Sequence, residues 1–148
     1  SETRFFPVLG EPRVPLEKVK RLILCTGKIY YDLVGHAIRQ DNENAAIGRV
    51  ELVYPFPEED IRELVASYPN IEEVLWVQEE PQNQGAWYRL RAYLRADILP
   101  QQVLAYAGRA ISASPAVGYA TKHNAEQKQL VTDAFAVQLK SGEMVVAH

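Results

Sequence analysis

Read for its pattern of apolar and polar positions, the chain alternates between two periods. Arg21-Leu22-Ile23-Leu24-Cys25-Thr26-Gly27 is a short apolar run ending in Thr-Gly, which suits a buried strand. Tyr30, Leu33, Val34, Ala37 and Ile38 then recur at helical spacing across residues 30–40. Ala46 to Val53 is apolar again and is stopped by Pro55 and Pro57. Glu58 to Ser67 returns to helical spacing through Ile61, Leu64 and Val65, with carboxylates in the first turn where the helix dipole favours them. Val74 to Val77 reads as a third strand, Trp87 to Ile98 as a third helix, Gln102 to Ala107 as a fourth strand and Glu126 to Phe135 as a last helix. Strands alternating with helices of this length pair in parallel through right-handed crossovers, and such a sheet is covered on both faces. The expected fold is therefore a three-layer α/β sandwich, with a mostly parallel sheet of four or five strands. Residues 1–20, with Pro7, Pro12 and Pro15 and no period, read as an extended lead-in or interdomain linker. The α/β domain is expected over residues 21–136, with residues 137–148 as a tail.

Composition narrows the classes of function. A chain of 148 residues is the size of one domain, and a net charge of −3 argues against a general affinity for nucleic acid or an anionic membrane surface. The single cysteine, Cys25, excludes an intrachain disulfide and a cysteine-rich zinc site. Its seat in an apolar run makes it a small buried hydrophobe rather than a nucleophile. No apolar run is long enough to span a bilayer and no signal-peptide core is visible, so a cytoplasmic, reducing compartment is the default. The sole methionine is Met144, so Ser1 either follows a removed initiator or begins a piece of something longer.

Candidate chemistry collects at the carboxyl ends of the strands, where open α/β sheets carry their sites. Thr26-Gly27-Lys28 lacks the first glycine and the Lys-Ser/Thr step of a phosphate loop. His36, His123 and His148 lack metal-ligand spacing, and no metal site is expected. Glu79 and Glu80 are adjacent, so on extended backbone they point to opposite sides and cannot act as a facing acid–base pair. Ser112-Ala113-Ser114-Pro115 has hydroxyls but no general base beside them. No catalytic residue emerges.

The motifs go further. Val77-Gln78-Glu79-Glu80-Pro81-Gln82-Asn83-Gln84-Gly85-Ala86-Trp87 resembles a signature of the C-terminal domain of the thiamine-diphosphate-dependent dehydrogenase component of the 2-oxoglutarate dehydrogenase complex. Four further stretches resemble that family in its own order. They are Leu24 to Leu33; Arg49-Val50-Glu51 with Leu52 to Pro57; Tyr106-Ala107-Gly108-Arg109; and Ser112 to Tyr119. Together they cover about residues 5–136, and five motifs in register are far more specific than one.

The resemblance implies a transketolase-type C-terminal domain of a larger homodimeric enzyme. That enzyme would decarboxylate 2-oxoglutarate and pass the succinyl group to the lipoyl arm of a succinyltransferase partner. The family's magnesium motif and activating glutamate belong to preceding domains, so thiamine diphosphate and magnesium are expected in the parent and no cofactor in this chain. Close relatives act on 2-oxoadipate, which the chain does not discriminate.

Two sets of residues are then candidates. Glu79, Glu80, Asn83, Gln84, Trp87 and Tyr88 would present a polar loop to other domains or to the second subunit, with Pro81 ending the strand. Arg109, Ser112, Ser114, Lys122 and His123 would meet the phosphates of an adenine-nucleotide effector such as AMP or acetyl-CoA. The alternatives are that the loop only stabilises this domain, that Arg109 only pairs with a carboxylate, and that the chain is a free-standing ligand-binding α/β protein.

Overall fold

The computed structural model describes residues 8–51, 55–81, 87–97, 103–109, 119–136 and 144–147. In chain order the elements are β1 (Val8–Leu9), a 3₁₀ turn (Leu16–Lys18), β2 (Arg21–Cys25), α1 (Ile29–Arg39), β3 (Ala45–Val50), α2 (Glu58–Ala66) and β4 (Glu73–Pro81). They continue with α3 (Trp87–Asp97), β5 (Val103–Arg109), α4 (Tyr119–Ala136) and β6 (Met144–Ala147). The sheet runs β1-β3-β2-β4-β5-β6, with β2 through β6 parallel and only the two-residue β1 antiparallel to its neighbour. Counted among themselves, the five parallel strands run 2-1-3-4-5. This is a doubly wound order whose switch point lies between β2 and β4.

The continuous apolar strands have the cause expected of them: both faces of the sheet are covered. Every residue of β2 is buried. Leu22 and Leu24 face a core that includes Ile61 and Val65 of α2 and Trp87 and Leu90 of α3. Ile23 and Cys25 face the other core, with Ile29, Leu33 and Ala37 of α1 and Leu130, Val131 and Ala134 of α4. The expected three-layer arrangement is the one found. The buried stripe of α1 is rotated from the expected one: Ile29, Leu33 and Ala37 are buried, whereas Ile38 is 61% exposed. The chain leaves α1 through Asp41 in a left-handed conformation, φ 50°, with Asn42 N–H donating to Ala37 O at 2.9 Å. That six-residue closure satisfies a terminal carbonyl, and it places a side chain where glycine is easier.

Both edges of the sheet use segments outside residues 21–136. On one side, β1 pairs Val8 with Val50 and Leu9 with Arg49. Beyond β1, the buried Glu11 carboxylate accepts from Ile47 N–H at 3.1 Å, and Arg13 donates to Ala45 O at 2.8 Å and to Asn42 O. The open backbone groups of β3 are thus met by side chains, one way of closing a sheet edge. On the other side, Met144 to Ala147 pair in parallel with Tyr106 to Arg109. Arg21, 8% exposed, ties the layers together. It donates to Glu73 at 2.9 Å and to Ala134 O at 2.8 Å, at the carbonyl end of α4 where a cation is favoured.

Candidate functional site

At the switch point, Gly27 turns the chain from β2 into α1 with φ 77°, a conformation that side chains resist. Cys25, the last residue of β2, is fully buried with its thiol directed at Gly48 O, 3.7 Å away. Burial pushes its pKa up to about 12, with Glu79 adding to the rise and Arg49 opposing it. A thiol held in that state is not a nucleophile at neutral pH. Above it, the Gln127 amide of α4 donates to Glu79 at 2.9 Å and to Asp32 of α1 at 3.2 Å. One neutral amide therefore joins β4, α1 and α4 through two carboxylates. Arg49 lies 5.9 Å from the centre of the Tyr31 ring and 3.7 Å from the Glu51 carboxylate.

The opposite face of the same edge is aromatic. Trp76 donates its indole N–H to the Gln78 side chain at 2.8 Å, and Gln78 in turn donates to Glu80 O at 3.1 Å. Gln78 is fully buried, so its amide serves as an internal connector. Tyr106 stands opposite Trp76 on β5, and Trp87 at the start of α3 packs on it with ring centres 5.2 Å apart. The Tyr106 ring lies along its own strand over Gly108, where an added Cβ would come within 2.0 Å of the hydroxyl. That hydroxyl is shut off from solvent without a hydrogen bond of ordinary geometry. Burial, with Glu80 and Tyr88 adding, pushes its pKa up to about 12 against the lowering contact with Gln78.

The candidates from the sequence are distributed as follows. Glu79 and Glu80 lie on opposite sides of β4: Glu79 meets α4, while Glu80 is exposed. Trp87 is 4% exposed inside the domain's own core, and Tyr88, its neighbour, is 54% exposed. Asn83, Gln84, Ser112 and Ser114 lie outside the described residues, as does the side chain of Arg109, the last residue of β5. Lys122 and His123 both sit in the first part of α4, and Lys122 is 3.9 Å from Glu126. Sequence reasoning missed Gln127, Asp32, Gln78 and Tyr106. For Gln127 no local signal exists, because its partners are 48 and 95 residues away. For Tyr106 and Gly108 a signal was there: a glycine two residues after a large aromatic on a buried strand.

The strand order, with helices on both faces and side chains gathered at the switch point, defines a doubly wound parallel α/β domain. The chain belongs to the 2-oxoglutarate dehydrogenase C-terminal family, whose model matches residues 1–135. It is 49% identical over 119 residues to the 2-oxoglutarate dehydrogenase E1 component of Cupriavidus necator, covering 80% of this chain and 12% of that protein. The same component of Azotobacter vinelandii is 47% identical over 137 residues, 90% of this chain and 14% of that one. That of Haemophilus influenzae is 44% identical over 133 residues, 89% and 14%. The chain thus spans only 12–14% of the length of these relatives. Strand β6 lies beyond the matched residues.

Proposed function

We propose that these residues form the non-catalytic C-terminal domain of a 2-oxoglutarate dehydrogenase E1-type enzyme, serving the assembly of its domains and subunits. The observation that carries this is the family match over residues 1–135 within relatives of which the matched stretch covers only 12–14%. The edge chemistry supports it. Glu79 and Asp32 are bridged by an amide, Gln78 is engaged with Trp76, and the Cys25 thiol is held protonated, so none of these groups is poised to move a proton or attack a carbonyl. Among the described residues no donor set fits a metal ion. Thiamine diphosphate and magnesium belong, in this reading, to preceding domains of the same cytoplasmic, homodimeric enzyme. In this reading the parent decarboxylates 2-oxoglutarate and hands the succinyl group to a lipoyl-bearing succinyltransferase.

Among the described residues, the exposed Glu80 and Tyr88 flank residues 82–86 and are placed to meet another domain. In the full-length parent, Tyr88→Ala with Glu80→Ala should weaken the dimer or lower turnover while leaving the melting temperature of the 148-residue chain unchanged. Unaltered sedimentation and activity would remove the assembly role from this edge. Micromolar binding of thiamine diphosphate with magnesium to the chain alone, read by calorimetry, would overturn the non-catalytic assignment.

A further inference from the structure

Helices α1 and α4 leave a cleft of about 600 Å³ between their outer faces, a volume on the scale of small-molecule sites. Arg39 and His36 line it from α1, and Lys128 and Val131 from α4, with Tyr31 and Asp32 towards the switch point. Among the described residues the cations fall into paired and unpaired ones, and Lys28, Arg89 and Arg91 also have no carboxylate partner; what sets the cleft apart is that two unpaired cations line one cavity. Lys18, Lys20, Arg21, Arg62 and Lys122 each lie within ion-pair distance of a glutamate. Arg39 and Lys128 have no carboxylate partner among the described residues, although they stand on opposite walls of one cavity. The cleft's own carboxylate, Asp32, accepts the Gln127 amide that also binds Glu79. His36 stacks on Phe135 at 4.9 Å, and its pKa is lowered by burial and then by Arg39, so the ring is neutral at neutral pH. The apolar surfaces are Val131, 6% exposed, and the Tyr31 ring, 64% exposed.

We propose that this cleft binds a small organic dianion, its two charges shared between Arg39 and Lys128 and its carbon skeleton set against Val131 and Tyr31. A monoanion would leave one of the two cations unmatched. A guanidinium fork opposite a lysine point charge suits a phosphate monoester or a dicarboxylate. The proposal stands whether or not the assembly reading holds.

The test is a titration of the isotopically labelled 148-residue chain, followed by amide NMR, with phenyl phosphate, glutarate, benzoate and sulfate in turn. At least one organic dianion should give saturable shifts at Arg39, Lys128 and Tyr31. Arg39→Gln and Lys128→Gln, both exposed positions, should each weaken it by about tenfold without moving the melting temperature. Binding by phenyl phosphate alone identifies a phosphate ester, and binding by glutarate alone a dicarboxylate; either sustains the proposal. No saturable shift with either dianion up to about 10 mM overturns it. So does benzoate binding as tightly as the dianions, or equal binding in both variants. Sulfate binding like phenyl phosphate would mean an adventitious ion only.

Discussion

The two faces of the sheet are closed by different means. The α2/α3 face is sealed by large rings: Trp76, Tyr106 and Trp87 are buried together, and the Trp76 indole N–H donates to Gln78. The α1/α4 face rests on small aliphatic residues, among them Ala37, Ala45, Ala105, Ala107 and Ala134. It is closed above them by a hydrogen-bonded bridge, Glu79–Gln127–Asp32, and by the His36–Phe135 stack. One face spends volume to exclude water; the other keeps partly exposed polar groups near an open cleft. The first should answer to changes in packing, the second to changes in charge and pH.

The strongest test of that contrast is Trp87→Ala. Truncating a buried tryptophan removes apolar area and leaves a cavity, so the expected loss is about 3–5 kcal/mol in urea unfolding of the isolated chain. Substitutions on the other face that leave its aliphatic floor intact should cost much less. A loss below about 1 kcal/mol would mean that α3 does not seal its face through this ring.

Gly108→Ala probes the same face through a different contact. The new methyl would overlap the Tyr106 hydroxyl and ring, and overpacking of this kind costs about 1–3 kcal/mol. Tyr106→Phe alone removes a buried hydroxyl that lacks a well-formed hydrogen bond, so it should be near neutral or mildly stabilising. In the double variant the two effects should couple, because the hydroxyl is the nearest atom to the added carbon. Strict additivity of the two melting shifts would break the account of Tyr106 lying over Gly108.

How much of this was legible in the sequence follows from the range of each interaction. The β2 run, the α2 stripe and the entry to α3 are local patterns, and they appear where the periods placed them. The first part of α4, from Tyr119, was not recognised because Tyr119 to Ala125 carries Thr, Lys, His and Asn instead of an apolar stripe. Met144 to Ala147 is only four residues long, and it is a strand because β5 offers an edge to pair with. The α1 stripe was misplaced by a turn position: Ile38 has the right chemistry, but the sheet lies under Ile29, Leu33 and Ala37. Of the candidate site, the opposed directions of Glu79 and Glu80 follow from strand geometry alone. Their partners do not, because nothing near residue 79 announces a glutamine 48 residues later.

Gln127→Leu is the matching test on the α1/α4 face. It removes a single amide and leaves the Glu79 and Asp32 carboxylates facing each other without a donor between them. The expected cost is about 1 kcal/mol, well under that of the tryptophan. A loss as large as that of Trp87→Ala would erase the distinction between the two faces.

The smallest effect expected is also the most specific to the α1/α4 face. His36 has its pKa lowered below the usual 6.5, first by burial against Phe135 and then by the Arg39 guanidinium. Lys128 lines the same cleft and adds positive charge, while Asp32, the one carboxylate there among the described residues, is engaged by Gln127. A base whose folded pKa lies below its unfolded value contributes nothing to the pH dependence while both states are neutral. As the pH falls through 6.5 the unfolded chain takes up a proton that the native chain resists, so stability declines from there down to the folded pKa. The Lys18–Glu43 pair does not interfere in that window, since Glu43 is lowered from 4.5 and stays ionised throughout it. Urea midpoints of the wild type should therefore drop between about pH 7.5 and 5.5. His36→Phe keeps an aromatic ring against Phe135 and removes the titrating group, so its midpoint should fall less over the same interval. If both chains lose the same stability, the stack is indifferent to protonation and the α1/α4 face owes none of its pH response to His36.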